Sequence, residues 1–322
     1  MSPRGGGERA MVPRERPTSY YGRPIVKPPV WKPEIPWYFF FGGLAGASAN
    51  LAAAATFAGR RRLARRAWAG ALLGVAASPA LLIKDLGKPS RFLYMLRVVK
   101  VTSPMSLGAW LLAANGGATT LAAGLNLVLP RRRGGAPEVA AALLGAPLAT
   151  YTAALITNSA IPAWSEARDE MPFVFAASGA ASAAGAAMLT VPGEEAEPVR
   201  ALGIGAVVVE EVAFKAMLKR LGPELASSYE EGIAGRFDRA ARALSAAGAL
   251  AFAAGGAWLP LPGRGRVAIA PPPARRAVSA AGGAMLLAGA VCKRWAVFKA
   301  GFHSAEDPAQ TVATQRARMA RD

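Results

Sequence analysis

Residues 81–110 read LLIKDLGKPSRFLYMLRVVKVTSPMSLGAW. The stretch begins at the end of one long apolar run and finishes inside the next. Between the two runs stand Lys84, Asp85, Lys88, Arg91, Arg97 and Lys100, interleaved with Phe92, Leu93, Tyr94, Met95, Leu96, Val98 and Val99. A link that only crossed from one helix to the next needs a few polar residues and a glycine. A link that alternates charge with large apolar side chains is expected to lie on a membrane surface or against a partner protein.

Working outward, the apolar runs repeat along the chain. Of 322 residues 53% are hydrophobic, and the mean hydropathy is +0.26. About 20 apolar residues span a bilayer core. Blocks of roughly that length fall at 37–58, 68–83, 105–129, 139–164, 172–191, 199–218, 240–261 and 277–298. The expected fold class is therefore all-α: a polytopic membrane helical bundle with about eight transmembrane helices. Three regions are expected: an extended, Pro- and Arg-rich N-terminal tail over 1–36, the transmembrane domain over 37–299, and a polar C-terminal tail over 300–322. The first 36 residues hold no apolar h-region, so no signal peptide is expected. Trp31, Trp37 and Tyr38 suit an interfacial aromatic belt. Residues 219–239 read as a soluble stretch with a short amphipathic helix and a turn. Ala, Gly and Ser dominate the blocks and let helix backbones approach closely in lipid.

The formal net charge is +18, from 38 basic and 20 acidic residues. In a soluble protein this would suggest nucleic acid. Here the basic residues sit between apolar blocks, where they orient helices and meet anionic membrane lipid, so no nucleic-acid partner is expected. An even helix count puts both termini on one side of a cell membrane. The short, wholly basic loops at 60–66 and 131–133 lie on the opposite side, which points the termini outward; the basic N-terminal tail argues the other way. Cys292 and His303 are the single cysteine and histidine. One of each cannot ligate an iron–sulfur cluster or supply bis-His haem, so neither centre, and no other metal, is expected in this chain.

Ionisable groups at membrane depth are costly and therefore informative. Glu210 and Glu211 lie inside the sixth block. Adjacent helical residues point about 100° apart, so one should face the bundle and the other a neighbour or the interface. They are candidates for proton transfer; the alternative is a Glu211–Lys215 pair at i,i+4. Ser48, Asn50, Asn115, Tyr151, Thr152, Thr157 and Asn158 either line a pocket or bond between helices. Tyr151 needs a partner for its phenol and suits donation to a quinone carbonyl. Lys84 and Asp85 either serve a site or pair at a helix terminus.

The motif DLGKPSRFLYMLRVVKVTSPMSLGAW resembles the NrfD/PsrC family of polysulfide-reductase-type membrane subunits. The family resembles this chain in a D-L-G-[RK]-P-x-R-F motif after its second helix and a T/S-S-P-M-S segment opening its third. YYGRPIVKPPVW, IPWYFFFGGLAGAS, YTAALITNSAIPAW and FKAGFHSAEDP are similar too. The resemblance implies a haem-free membrane anchor that binds quinone or quinol, whether menaquinone or ubiquinone. It implies two partners: a ferredoxin-like iron–sulfur subunit with four cubane clusters, and a molybdopterin catalytic subunit beyond it. The quinone pocket of the family lies among the early helices, which makes Trp37, Tyr38, Asp85, Arg91, Ser103 and Tyr151 the quinone-binding candidates by position, with no catalytic residue of its own. Well-known members use an Asn and a His near the start of helix one. Here WYFFFGGLAGASAN has no His and a deeper Asn50. A secondary transporter and a purely structural anchor are the other two expectations.

Overall fold

Helix α1, Glu34–Phe57, carries five aromatic or proline side chains in its first two turns and almost only Gly, Ala and Ser after them. That composition suits a helix surrounded by others. In the computed structural model, which describes residues 24–86, 88–129, 133–191, 193–256, 258–261, 265–268 and 272–319, α1 touches α2, α3, α4, α6 and α9. Of its apolar window 78% is buried, against 33% for α2 (Arg61–Asp85), 28% for α3 (Pro104–Val128) and 39% for α4 (Ala136–Thr157). The bundle is thus built round α1, and α2, α3 and α4 turn most of their surface outward.

Glycine brings the backbones together. A Cβ on Gly74 of α2 would sit 2.7 Å from the Phe41 carbonyl oxygen and the Ala45 nitrogen of α1. Between α6 (Met171–Met188) and α9 (Pro272–Glu306), Gly185 lies against the Gly283 backbone in the same way. In lipid, where apolar side chains gain little by leaving their surroundings, such close van der Waals approach is a principal source of helix association.

The fourth helix is followed by the four-residue α5 (Pro162–Ser165), and the sixth by α7 (Glu197–Glu230), α8 (Gly232–Gly256) and, after α9, α10 (Pro308–Met319). Eight helices among the described residues reach 18 residues or more. Six of them, α1, α2, α3, α4, α6 and α9, are also apolar enough to cross a membrane. The chain is a multi-pass helical membrane protein.

Four details differ from the sequence reading. Residues 219–239 do hold a short helical stretch and a turn, Pro223–Glu230 after the break at Gly222 (φ +75°) and then Glu231, but α8 already opens at Gly232, ahead of the block expected from 240. The positive φ, open to glycine at little cost, ends one helical stretch at Gly222, and Pro223 opens the next, where its missing N–H costs nothing. A small antiparallel hairpin, β1 (Trp258–Leu261) with β2 (Gly265–Ala268), joins α8 to α9 in a chain expected to be all-α. The block expected over 139–164 is two helices, because Pro162 starts α5, as its fixed φ and missing N–H favour. Trp31 and Tyr38 do not stand in an aromatic belt. Trp31 stacks on Trp164 at 5.4 Å and Tyr38 is 1% exposed, while Trp37 alone of the three turns out, at 39%.

Trp164 is itself fully buried and donates its indole N–H to the Val297 carbonyl at 2.8 Å. Beside it, Ala163 N–H donates to Ser304 Oγ at 3.1 Å, and Tyr229 O–H donates to the Ala163 carbonyl at 2.7 Å. The segment leading into α1 and the segment leaving α9 therefore meet at one end of the bundle. Also at that end, Arg220 grips Glu170 through two contacts of 2.5 Å. The guanidinium holds the Glu170 carboxyl below its ordinary value of 4.5.

Two outcomes check this architecture. Gly74→Ala forces α1 and α2 apart and should lower stability by about 1–3 kcal/mol, read as a lower Tm of the detergent-solubilised protein. Because the folded-state value of Glu170 is depressed, its ion pair stabilises above pH 4.5 and is lost as pH falls through the depressed value. Glu170→Gln should therefore flatten the fall of Tm on acidification below that pH.

Candidate functional site

The polar link that follows α2 folds as a 3-10 helix, Pro89–Leu96, none of whose residues is buried. Proline at its first position and the tight turn suit a short piece of this kind. Leu93, Tyr94, Val98, Val99 and Val101 are 56–72% exposed, and Arg97 lies over the Tyr94 ring at 4.6 Å. The link is anchored at its far end: Ser106 Oγ donates to the Val98 carbonyl and accepts from Lys100 N–H, and Ser103 caps α3 by accepting from Ser106 N–H.

Beneath the 3-10 helix is a cavity of about 70 Å3. Tyr38 comes from α1, Leu82 and Asp85 from the end of α2, Met95 from the 3-10 helix, Met105 from α3 and Tyr151 from α4; Trp31 closes it from the segment before α1. Tyr151 reaches it because Gly108 of α3 has no side chain: a Cβ there would overlap the Tyr151 ring and hydroxyl. Lys84 does not pair with Asp85 as a helix-end couple. It reaches Glu34 at 3.0 Å, while Asp85 lines the cavity. Two phenols and one carboxylate thus converge in a slot otherwise walled by Ile35, Leu82, Leu155 and two methionines.

Of the six candidates by position, the structure brings together Tyr38, Asp85 and Tyr151. The other three do not line the cavity. Trp37 faces outward against Phe40 and Phe41, Arg91 is exposed on the 3-10 helix, and Ser103 is the α3 cap. Of the small polar residues, Asn115 bonds between helices, whereas the buried Ser48 and Thr152 hydroxyls have no hydrogen-bond partner among the described residues. Asn115 Nδ2 donates to the Ala141 carbonyl at 3.1 Å, and Asn115 Oδ1 accepts from Thr119 Oγ1. Thr157 bonds back to the Ala154 carbonyl within its own helix.

Glu210 and Glu211 part company as adjacent helical residues must. Glu210 is buried, its carboxylate 3.9 Å from Lys293 Nζ. Glu211 pairs with Lys215 at 3.0 Å and with Arg242 at 4.0 Å. Lys293 completes its partnership with Asp238 at 2.6 Å, and Arg242 also binds Asp238. Arg294, 1% exposed, donates to the Phe175 carbonyl at 2.9 Å and lies 3.7 Å over the Phe175 ring. It fits there because Gly43 of α1 leaves room: a Cβ would be 2.9 Å from its Nη2. Asp238, Lys293 and Arg294 escaped the sequence reading. The pair KR inside the apolar block VCKRWAVF was the available signal, since two adjacent cations at membrane depth need partners.

The fold and the cavity define a class: a multi-pass helical membrane subunit with a small amphipathic slot under an exposed basic–apolar link. The family model "Polysulphide reductase, NrfD" matches residues 25–218, well over half of the chain, and the protein belongs to that family. The match takes in α1 to most of α7, and so every residue of the cavity. No curated protein compared with the chain matches it. Members of the family are membrane subunits of molybdoenzyme complexes, and a membrane-anchor role follows.

Gly108→Ala tests the packing that sets the slot. It should displace the Tyr151 ring from the cavity, measurable as a changed tyrosine environment in near-ultraviolet circular dichroism, with the helical far-ultraviolet signal retained.

Proposed function

We propose that the protein is the haem-free, quinone-reactive anchor of a multi-subunit oxidoreductase in the cell membrane, with the quinone head group held in the Tyr38–Asp85–Tyr151 cavity. The observation that carries this reading is the convergence of two phenols and a carboxylate in an apolar slot directly beneath the exposed link. The slot fits such a ligand chemically: apolar walls suit the ring, and two O–H donors suit its two carbonyls. Met95 and Met105, unbranched and readily re-rotated, are the side chains that widen it. A bound quinone or quinol supplies the two-electron redox chemistry. The chain's own residues do the rest. Tyr38 and Tyr151 orient the head group by donating from their hydroxyls. Asp85, at the water-facing end of α2, accepts or returns a proton at its carboxylate. Trp31, stacked on Trp164, excludes water from above.

The link gives the partner its surface. Arg91, Arg97, Lys88 and Lys100 offer charge and Leu93, Val98 and Val101 offer apolar area, a mixture suited to an iron–sulfur subunit with four cubane clusters, which hands electrons to or from a molybdopterin catalytic subunit. The arginines that open α2 at the opposite end, Arg61, Arg62, Arg65 and Arg66, favour placing that face outside. Glu210, buried beside Lys293 and Asp238, is the group suited to hold a proton away from the cavity. Glu211, fixed by Lys215 and Arg242, serves the ion network.

The test is turnover and quinol-analogue binding in membranes carrying the assembled complex. Tyr151→Phe should weaken analogue binding about tenfold, the worth of one hydrogen bond. Asp85→Asn should slow quinone turnover about a hundredfold with binding retained, and Glu210→Gln should slow it without altering binding. Trp37→Phe should change neither. Wild-type binding and turnover in both Tyr151→Phe and Asp85→Asn would remove the cavity from consideration.

A further inference from the structure

A second and larger cavity, about 190 Å3, lies at the other end of α2. Its walls are Arg61, Arg65, Trp68 and Leu72 of α2, with Asn126 and Leu127 of α3. Arg61 opens α2 and Asp85 closes it. At 1.5 Å per residue Arg61 and Asp85, the polar residues at the two mouths, are separated by about 35 Å, a membrane thickness. The second cavity therefore belongs to the opposite face of the bilayer from the candidate quinone slot.

Its chemistry is divided in depth. The floor is polar in name only, because its donors are already engaged: Trp68 Nε1 donates to Thr56 Oγ1 at 3.2 Å, Thr56 to the Ala52 carbonyl at 2.7 Å, and Asn126 Nδ2 to the Ala122 carbonyl and Glu138 Oε1, both at 2.8 Å. A ligand seated there finds apolar contact and no free donor from these groups, which disfavours a quinone head. The mouth is different. Arg61 and Arg65 are one helical turn apart on one face, and both are exposed. The nearby acids are otherwise bound: Glu195 accepts from Leu63 N–H at 2.6 Å, and Glu138 holds Asn126. The rim continues outward as exposed hydrocarbon, with Leu127 at 71%, Val128 at 75% and Leu129 at 52%. It sits between α2 and α3, the two least buried of the apolar helices.

We propose that this cavity binds an anionic diacyl phospholipid, its phosphate clasped by Arg61 and Arg65 and one acyl chain lying over Trp68, Leu72 and Leu127. Guanidinium forks match phosphate oxygens bidentately. The apolar trough continuing from the mouth along α2 and α3 demands a ligand with a long hydrocarbon part, which a free anion lacks. The lipid wedges between α2 and α3 on the face opposite the partner platform and fixes the spacing of the two helices that carry Asp85 and Met105.

The experiment uses the purified full chain, delipidated in detergent and titrated with phosphatidylglycerol or phosphatidylcholine, read by native mass spectrometry and by Tm. Phosphatidylglycerol should bind and raise Tm, and phosphatidylcholine should do neither. Arg61→Gln with Arg65→Gln should weaken phosphatidylglycerol binding about thirtyfold, at about fivefold per cation. Arg62→Gln with Arg66→Gln removes the same charge from the neighbouring face of α2 and should leave binding within about twofold of wild type, on the view that off-site cations act only through screened long-range attraction. Leu72→Trp fills the trough with both arginines in place and should also abolish binding. Equal effects of the two arginine pairs would show diffuse attraction and overturn the proposal. So would equal stabilisation by phosphatidylcholine, by inorganic phosphate alone, or displacement of the lipid by a quinol analogue. The arginine-pair and lipid-selectivity results are independent of quinone binding in the Tyr38–Asp85–Tyr151 cavity, which is tested by the Tyr151→Phe and Asp85→Asn variants.

Discussion

Trp164 is the contact on which one end of the molecule depends. Its ring stacks on Trp31, its N–H is bound by α9, and the peptide beside it is bound on one side by Tyr229 and on the other by Ser304. Three segments far apart in sequence, the one before α1, α7 and α9, are thus tied to two residues. Gly301 lies where any side chain would overlap the indole. Removing a buried tryptophan of this kind costs about 3–5 kcal/mol, and here the loss would also detach the lid of the neighbouring cavity. The cavity at that end is therefore a consequence of how the chain closes on itself as much as of the helices that line it.

The two halves of the bundle use different physics. Around α1, α2, α3 and α4, glycine and alanine allow backbones to touch, and the polar groups present are mostly satisfied one at a time by carbonyls. Around α7, α8 and α9, cohesion includes Asp238, Lys293, Glu210 and Arg294, buried together. Removing one member of such a set leaves an uncompensated charge, which is far more costly than the set is stabilising. The first half can thus vary its surfaces without penalty, whereas the second half is fixed in register by its ion pairs.

Much of this was legible beforehand. The helical class, the number of long helices and the family followed from block length and from DLGKPSRF with TSPMS. The angular argument for Glu210 and Glu211 held, because a helix fixes side-chain direction whatever surrounds it. Periodicity could not reveal which of Trp31, Trp37 and Tyr38 faces inward. That choice depends on Trp164, more than 120 residues away in the chain. The same limit hid the role of Gly108, whose missing side chain matters only because Tyr151 arrives opposite it. The Gly222-Pro223 pair was a reliable signal of a helix break, but the polar residues after it hid how early α8 begins, at Gly232.

The charges buried in α7 and α8 also bear on how the protein is made. Neither helix is apolar enough to cross a membrane by composition, and the partners that neutralise Glu210 and Asp238 are on α9. An ionised helix enters hydrocarbon at a steep cost until its counter-charge is beside it. The counter-charges on α9 therefore favour burial of α7 and α8 together with α9 rather than one at a time. The last third of the chain is then suited to integrate as a single three-helix unit, while α1 to α6 can enter one after another.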